Sequence, residues 1–398
     1  MRTPTAMRVA AAAAAAGLLL TGCGSNDEQA TGGDAAASTQ ESNLDTGTFP
    51  TTPQPEFGSA NPEKAGWIES QRMAEFLTMP FEVDPELVKP FAGRPYEDAD
   101  SASSEVSDGG AAAIEDSFVA GFRAAGGSYD ETNTRELTTA VIRLKDAAAV
   151  EAALPKIKAG LIEGTIEPGV EDPIDILPNT TVVSSVYKSE DKPEASVTVQ
   201  GVTPHNNYLL FASAWTVESD KAWTATAIAE FVEQQVPLID KFPATPAEEI
   251  PDITMDQDKV LIYTVPHEDG PLDMPGDQAV LGPRGAAITA ANFRRSYQRL
   301  LDSNVTHMAI SNTTVYKTGS EEDAKNLIDG FVEDNLKVEG TVEAEPPAGL
   351  ETARCITPPE YVTTCWVANG PYVGEVSMSV PEDDQKLAAQ YVILGHAK

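Results

Sequence analysis

Cysteine, histidine, basic residues and long apolar runs are all scarce in this chain. Three cysteines and four histidines among 398 residues exclude a cysteine-rich disulfide scaffold and a dense zinc cluster. The histidines, at 205, 267, 307 and 396, stand far apart, and His267-Glu268-Asp269-Gly270 lacks the second histidine of a zinc-protease helix. No G-x-S-x-G, Walker or cysteine-nucleophile pattern is present. Asp256-Gln257-Asp258 and Pro381-Glu382-Asp383-Asp384 lack the glycine and the closing acid of a calcium loop. They are expected to be a solvated linker and the negative first turn of a helix. These absences leave no catalytic residue, no cofactor site and no metal site to expect. The 62 acidic residues make neighbouring carboxylates unavoidable, so such pairs have no diagnostic value. Trp215, Trp223 and Trp366 fall at strand or helix spacing and are expected to pack in cores.

The 27 basic residues against 62 acidic ones give a formal charge of −35. So negative a surface repels nucleic acid and anionic lipid and favours cations or basic partners. The one strongly apolar run, residues 9–20, is 12 residues long, follows Arg2 and Arg8, and ends at Leu20-Thr21-Gly22-Cys23. A spanning helix needs roughly 20 apolar residues, so residues 1–22 read as a signal peptide. Leu20-Thr21-Gly22-Cys23 resembles the lipobox of bacterial lipoproteins, in which the cysteine becomes lipid-bearing. By that resemblance Cys23 is the acceptor, and a diacyl or triacyl cysteine would hold the chain on the membrane. With Cys23 lipidated, Cys355 and Cys365 remain, and in an exported protein this isolated pair is expected to form a disulfide.

Residues 23–57 contain few large apolar side chains and are expected to be a disordered tether holding the folded part roughly 30 Å from the bilayer. Beyond it the sequence predicts an N-terminal α+β domain over 58–242, a Pro-rich acidic linker over 243–258 and a C-terminal α+β domain over 259–398. Residues 96–110 read as a long mobile loop.

In the first domain helix is expected over 111–125 and strand over 137–144. Asp146 should cap a helix with Val150, Leu154, Ile157 and Leu161 on one stripe. Strands over 195–201 and 208–217 and a helix over 222–239, kinked or ended by Pro237, complete it. The second domain repeats this order: helix over 285–301, strand over 306–317 and a helix over 320–335 opened by Ser320 and Asp323. A hairpin over 363–368 and 372–380 through Asn369-Gly370 and a last helix over 382–393 follow. Tyr208-Leu209-Leu210-Phe211 aligns with Tyr372-Val373-Gly374-Glu375, and residues 141–145 align with 314–317. The expectation is an internal duplication of one unit, an antiparallel sheet backed by helices on one face.

The lipobox, the tether, the twin α+β segments and the block Cys355…Cys365-Trp366…Gly370-Pro371-Tyr372-Val373 together resemble actinobacterial cell-envelope lipoproteins of unknown function, of the mycobacterial and rhodococcal type. A fainter similarity is to the extracellular sensor domains of mycobacterial receptor kinases. The resemblance implies a place on the outer face of the cytoplasmic membrane and supplies no catalytic residue. The expected function is non-enzymatic binding of a cell-wall, lipid or protein partner. The alternatives are an envelope hydrolase using carboxylates and a solute-binding component of a transporter.

Overall fold

The computed structural model describes residues 44–129, 134–164, 166–267 and 278–397, all within one compact unit. The first half runs α1 (Pro62–Met73), β1 (Lys89–Pro95), α2 (Asp108–Ile114), β2 (Phe118–Gly127), β3 (Glu136–Leu144) and α3 (Ala147–Glu163). It continues through β4 (Val170–Glu171), β5 (Thr181–Tyr187), β6 (Ser196–His205), β7 (Tyr208–Val217) and α4 (Lys221–Ile239). The second half runs β8 (Ala279–Leu281), α5 (Phe293–Asp302), β9 (His307–Ile310), β10 (Thr314–Lys317) and α6 (Glu321–Leu336). Then come β11 (Val342–Ala344), β12 (Arg354–Thr357), β13 (Thr363–Asn369), β14 (Tyr372–Met378) and α7 (Asp383–Leu394).

Each half folds around an antiparallel seven-stranded sheet, ordered β1-β2-β3-β7-β6-β5-β4 and β8-β9-β10-β14-β13-β12-β11. Counted from the first strand of each, the two orders are identical, and in both a helix crosses from the third strand to the far edge. The fold is therefore a duplicated α+β unit.

Local signals set several of these elements. Asp146 accepts the Ala149 amide at 2.8 Å, and α3 buries Val150, Ala153, Ile157 and Leu161. Ser320 accepts the Asp323 amide at 3.1 Å at the start of α6. Helix α4 runs two residues past Pro237 and stops at Ile239. The β13–β14 turn lies one residue later than expected, at Gly370-Pro371, because Asn369 still pairs with Tyr372. Gly370 supplies the positive φ of 56° that a two-residue hairpin turn demands.

Other expectations are corrected. Helices cover both faces of each sheet, because strands such as β3 and β7 are apolar on both sides. Helix α3 packs on the face of Ile142, Val202 and Phe211, while α4 packs on Val141 and Leu210. The expected helix over 111–125 ends at Ile114, and the small residues that follow form β2. The expected helix over 285–301 is two helices, Pro283–Ala287 and α5. The single strand expected over 306–317 is the hairpin β9–β10. Residues 96–110 are not a loop: Tyr96, Ala102 and Val106 are fully buried and hold short helices in place.

The described part of the supposed tether, residues 44–57, lies on the folded body. Leu44 packs beside Leu350 and Leu387, and the Gln54 side chain donates to the carbonyl of Thr264 at 3.1 Å. The linker is fastened too. Ile250 and Ile253 are buried against α1, and Asp256 is buried, accepting the amides of Val260 and Ile262 at 3.0 Å each. Polar composition hid both, since few apolar side chains suffice when backbone amides find fixed partners.

One core passes from the α4 face of the first sheet to the α6 face of the second. Two glycines make this contact possible. A Cβ on Gly93 of β1 would stand 1.7 Å from Ile288, and one on Gly126 of β2 would stand 2.5 Å from the ring of Phe293. Arg284 reinforces the junction, donating its backbone amide to Glu75 at 2.8 Å while its guanidinium pairs with Glu82.

Cys355 and Cys365 face each other across β12 and β13 and are joined in a disulfide with Cα atoms 4.1 Å apart. Both lie under α7 in a buried cluster. Replacing both by alanine should lower stability by about 2–3 kcal/mol through loss of a loop constraint. Urea denaturation of the native chain and the double variant measures this. A loss below about 1 kcal/mol would show that the sheet register alone holds these strands.

Candidate functional site

A pocket with aromatic and charged walls lies in the second half, between the sheet and helices α5 and α6, with a volume of 320 Å³. Its floor is built from three strands. Tyr316 stands on β10, Trp366 on β13 and Glu375 on β14, with Trp366 directly paired to Glu375. Both aromatic donors fall on one carboxylate oxygen: Trp366 Nε1 at 2.7 Å and the Tyr316 hydroxyl at 3.0 Å from Glu375 Oε2. Phe331 of α6 forms a wall, its ring centroid 5.3 Å from Tyr316 and 5.7 Å from Trp366. Ile356 lines the side, and Asn292, Arg295, Arg299 and Asp334 line the mouth.

Electrostatics separate the two carboxylates of this pocket. Burial raises the Glu375 carboxyl above its ordinary value and outweighs the opposing hydrogen bonds of Trp366 and Tyr316. Burial also acts to raise Asp334, but hydrogen bonds from Arg299 and Lys337 prevail and hold it low. The Tyr316 hydroxyl is pushed far up by burial and by the neighbouring Glu375, so it remains a donor.

Glu375 sets a pH dependence whose sign is opposite to that of an ordinary surface acid. Its folded form gives up its proton at a higher pH than the unfolded chain, whose ordinary value is about 4.5. Its stability contribution is therefore present at low pH and is lost as pH rises from that value through the folded one. Glu75, raised by burial against the Arg284 amide, acts in the same direction. Denaturation midpoints measured across pH 4 to 8 should fall less steeply in a Glu375→Gln variant than in the native chain. An unchanged slope would remove Glu375 from this account.

The duplication identifies what is special about this site. By position from the central hairpin, Glu375, Trp366 and Tyr316 correspond to Phe211, Val202 and Ile142 of the first half. There the three side chains are fully buried in a closed apolar cluster beneath α3. The second copy carries a carboxyl and two polar aromatics in the same place and keeps a cavity above them.

Trp366, expected to pack in a core, is buried on the floor of this pocket, and the other residues singled out in the sequence lie elsewhere. Cys23 and the signal segment fall outside the described residues, as do Glu268, Asp269 and Gly270. Cys355 and Cys365 are brought together on the opposite face of the second sheet from the pocket. His205 meets Asp240 at 2.7 Å and His307 meets Asp258 at 3.1 Å, each at a separate place. Burial pulls His307 below its ordinary value despite that partner. Asp383 accepts the amides of Ser379 and Val380 ahead of α7. Among the described residues no three histidine, cysteine or carboxylate side chains gather as a metal group. Glu375 was not singled out, although the alignment of Phe211 with Glu375 carried the signal: an acid at an inward strand position.

Two family models cover most of the chain, the N-terminal domain of unknown function DUF7373 over residues 56–255 and its C-terminal counterpart over residues 260–397. The chain belongs to the DUF7373 family. Its two family domains coincide with the two sheets, and the boundary between them falls just ahead of Val260 and Leu261. No curated protein matches the chain by sequence. Among solved structures, the extracellular domain of PknH from Mycobacterium tuberculosis matches with 12% identity and a TM-score of 0.31, over 43% of this chain and 97% of that one. Among the described residues of this DUF7373 protein, no helix is long and apolar enough to cross a membrane.

Proposed function

We propose that this DUF7373 protein is a non-enzymatic binding protein, lipid-anchored on the outer face of the cytoplasmic membrane, whose ligand occupies the pocket above Glu375. The observation that carries this reading is the contrast between the copies: positions closed by Phe211, Val202 and Ile142 in one are opened and made polar in the other. Shielding a carboxyl from water costs stability, and a ligand that meets Glu375 at the cavity floor would offset that cost. The location rests on the Leu20-Thr21-Gly22-Cys23 block, and the Cys355–Cys365 disulfide suits an oxidising compartment.

Two measurements test the proposal. A fatty-acid analogue fed to producing cells should label the native chain and not a Cys23→Ala variant; equal labelling refutes the anchor. Extracts of the cell envelope should raise the melting temperature of the native chain and leave a Thr364→Trp variant, its pocket filled, unchanged. Equal protection of both removes the pocket from the function.

A second reading is favoured by the opposed carboxyls. A raised Glu375 and a lowered Asp334 in one pocket are the environment of a general acid and its charged partner. Turnover of envelope glycans or esters that disappears in both Glu375→Gln and Asp334→Asn would select a hydrolase. The shared core between the halves lends no support to solute capture by domain closure.

A further inference from the structure

We propose that the ligand is an anionic sugar or polyol, a hydroxylated ring bearing a phosphate or carboxylate, with its ring over Phe331 and its anion at the arginines of α5. This rests on the pocket being the binding site, and it deepens that reading by naming the chemistry.

The floor calls for a hydroxyl. Both described hydrogen bonds to Glu375 fall on Oε2, which leaves Oε1 to meet a ligand hydroxyl, as donor while the carboxyl holds its proton and as acceptor once the proton is released. The walls call for an apolar ring face, since half-buried Phe331 and buried Ile356 border the cavity. At 320 Å³ it stands at the small end of ligand pockets, a size suited to one ring rather than a polymer segment or an acyl chain.

The mouth calls for an anion. A second depression of 380 Å³ adjoins the first and shares Asn292, Arg295, Arg299 and Asp334 with it, adding Arg294, Gln298 and Asp302. Three arginines thus stand within one ten-residue helix of a chain that has 62 acids and 27 bases. Arg299 is held in place: its Nε lies 3.2 Å from Asp334, and its side chain lies where a Cβ on Gly330 would be. Arg294 and Arg295 are exposed and have no ion pair among the described residues. Guanidinium groups bind phosphate and carboxylate in bidentate fashion, and Arg294 and Arg295, the two without an ion pair among the described residues, disfavour a cationic ligand. An uncharged apolar ligand would leave Glu375 Oε1 unmet. The class that satisfies floor, wall and mouth together is a hydroxylated ring with one anionic substituent.

The test is isothermal calorimetry on the detergent-solubilised full chain. The probes are glucose 1-phosphate, inositol 1-phosphate and glucuronate, with glucose, inositol, glucosamine and inorganic phosphate for comparison. The anionic rings should bind at least about tenfold more tightly than the neutral rings, glucosamine or phosphate alone. Glu375→Gln should weaken them about tenfold, and Arg294→Ala with Arg295→Ala should abolish the preference for charged over neutral rings. Vesicles of phosphatidylcholine with and without phosphatidylinositol identify the source: binding to vesicles alone makes the ligand a lipid headgroup, and binding to free probes makes it a soluble one. Equal affinity for neutral and anionic rings, tighter binding of glucosamine, or no binding of either the free probes or the phosphatidylinositol vesicles overturns the proposal. If envelope extract still protects the native chain and not Thr364→Trp, the chemistry is wrong and the binding site stands. If it protects both, the site itself is wrong.

Discussion

Replacing Glu69 by alanine should destabilise the protein by about 3–5 kcal/mol, the range for breaking a buried ion pair from one side. Glu69 on α1 is fully buried, and Arg143 on β3 is 7% exposed. Each Glu69 oxygen has two donors. Oε1 accepts from Arg143 at 2.8 Å and from the Thr245 amide at 2.9 Å; Oε2 accepts from Arg72 at 2.5 Å and from the Thr245 hydroxyl at 3.0 Å. Arg143 also donates to the Thr245 carbonyl at 2.7 Å. The carboxylate thus ties helix, sheet and the start of the connecting segment at one point. Its removal strands the Arg143 charge in the interior, which costs more than the lost contacts themselves. A paired change of Glu69→Leu with Arg143→Met, which removes both charges, should recover much of the loss. Urea denaturation of the single and paired variants decides this, and a single-variant loss under about 1 kcal/mol would mean that water reaches Arg143.

Replacing Phe293 by alanine should cost about 3–5 kcal/mol, as for other large-to-small changes at full burial. Phe293 opens α5, donates its amide to Val88 at 3.0 Å and lays its ring over Gly126 of the first sheet. It belongs to the core that both halves share. The loss should therefore spread across the junction: amide exchange in β2 and in β9 should quicken together, and calorimetry should still show one transition. Faster exchange confined to β9 would show that the halves unfold independently and that the shared core couples them weakly. The glycine side of the contact gives a matching result, because Gly126→Val would displace the same ring.

How much could be read in the sequence follows from how far each determinant lies along the chain. Helices α3 and α6 were legible because Asp146 and Ser320 cap them and their stripes recur within a turn. The hairpin β13–β14 was legible to within one residue, since Gly370 must take a positive φ. Residues 118–127 misled, because a run of alanine and glycine fits a helix until a neighbouring strand and the ring of Phe293 supply partners. Tyr96 to Val106 misled as well: polar neighbours outnumber the few side chains that anchor the segment. The candidate site needed four segments at once. Nothing near Glu375 in sequence shows that Trp366 and Tyr316 will share one of its oxygens, or that Phe331 will roof it.

The sequence by itself determined the α+β class, the duplication and the extreme negative charge, because these depend on composition, local periodicity and spacing. Only the tertiary structure decided which of 62 acids stands on the floor of a pocket, that residues 44–57 and 243–258 are tied to the body, and that the halves share one core. Those outcomes depend on burial and on cross-strand register, which place side chains far apart in the chain within a few ångströms and fix whether each finds a partner.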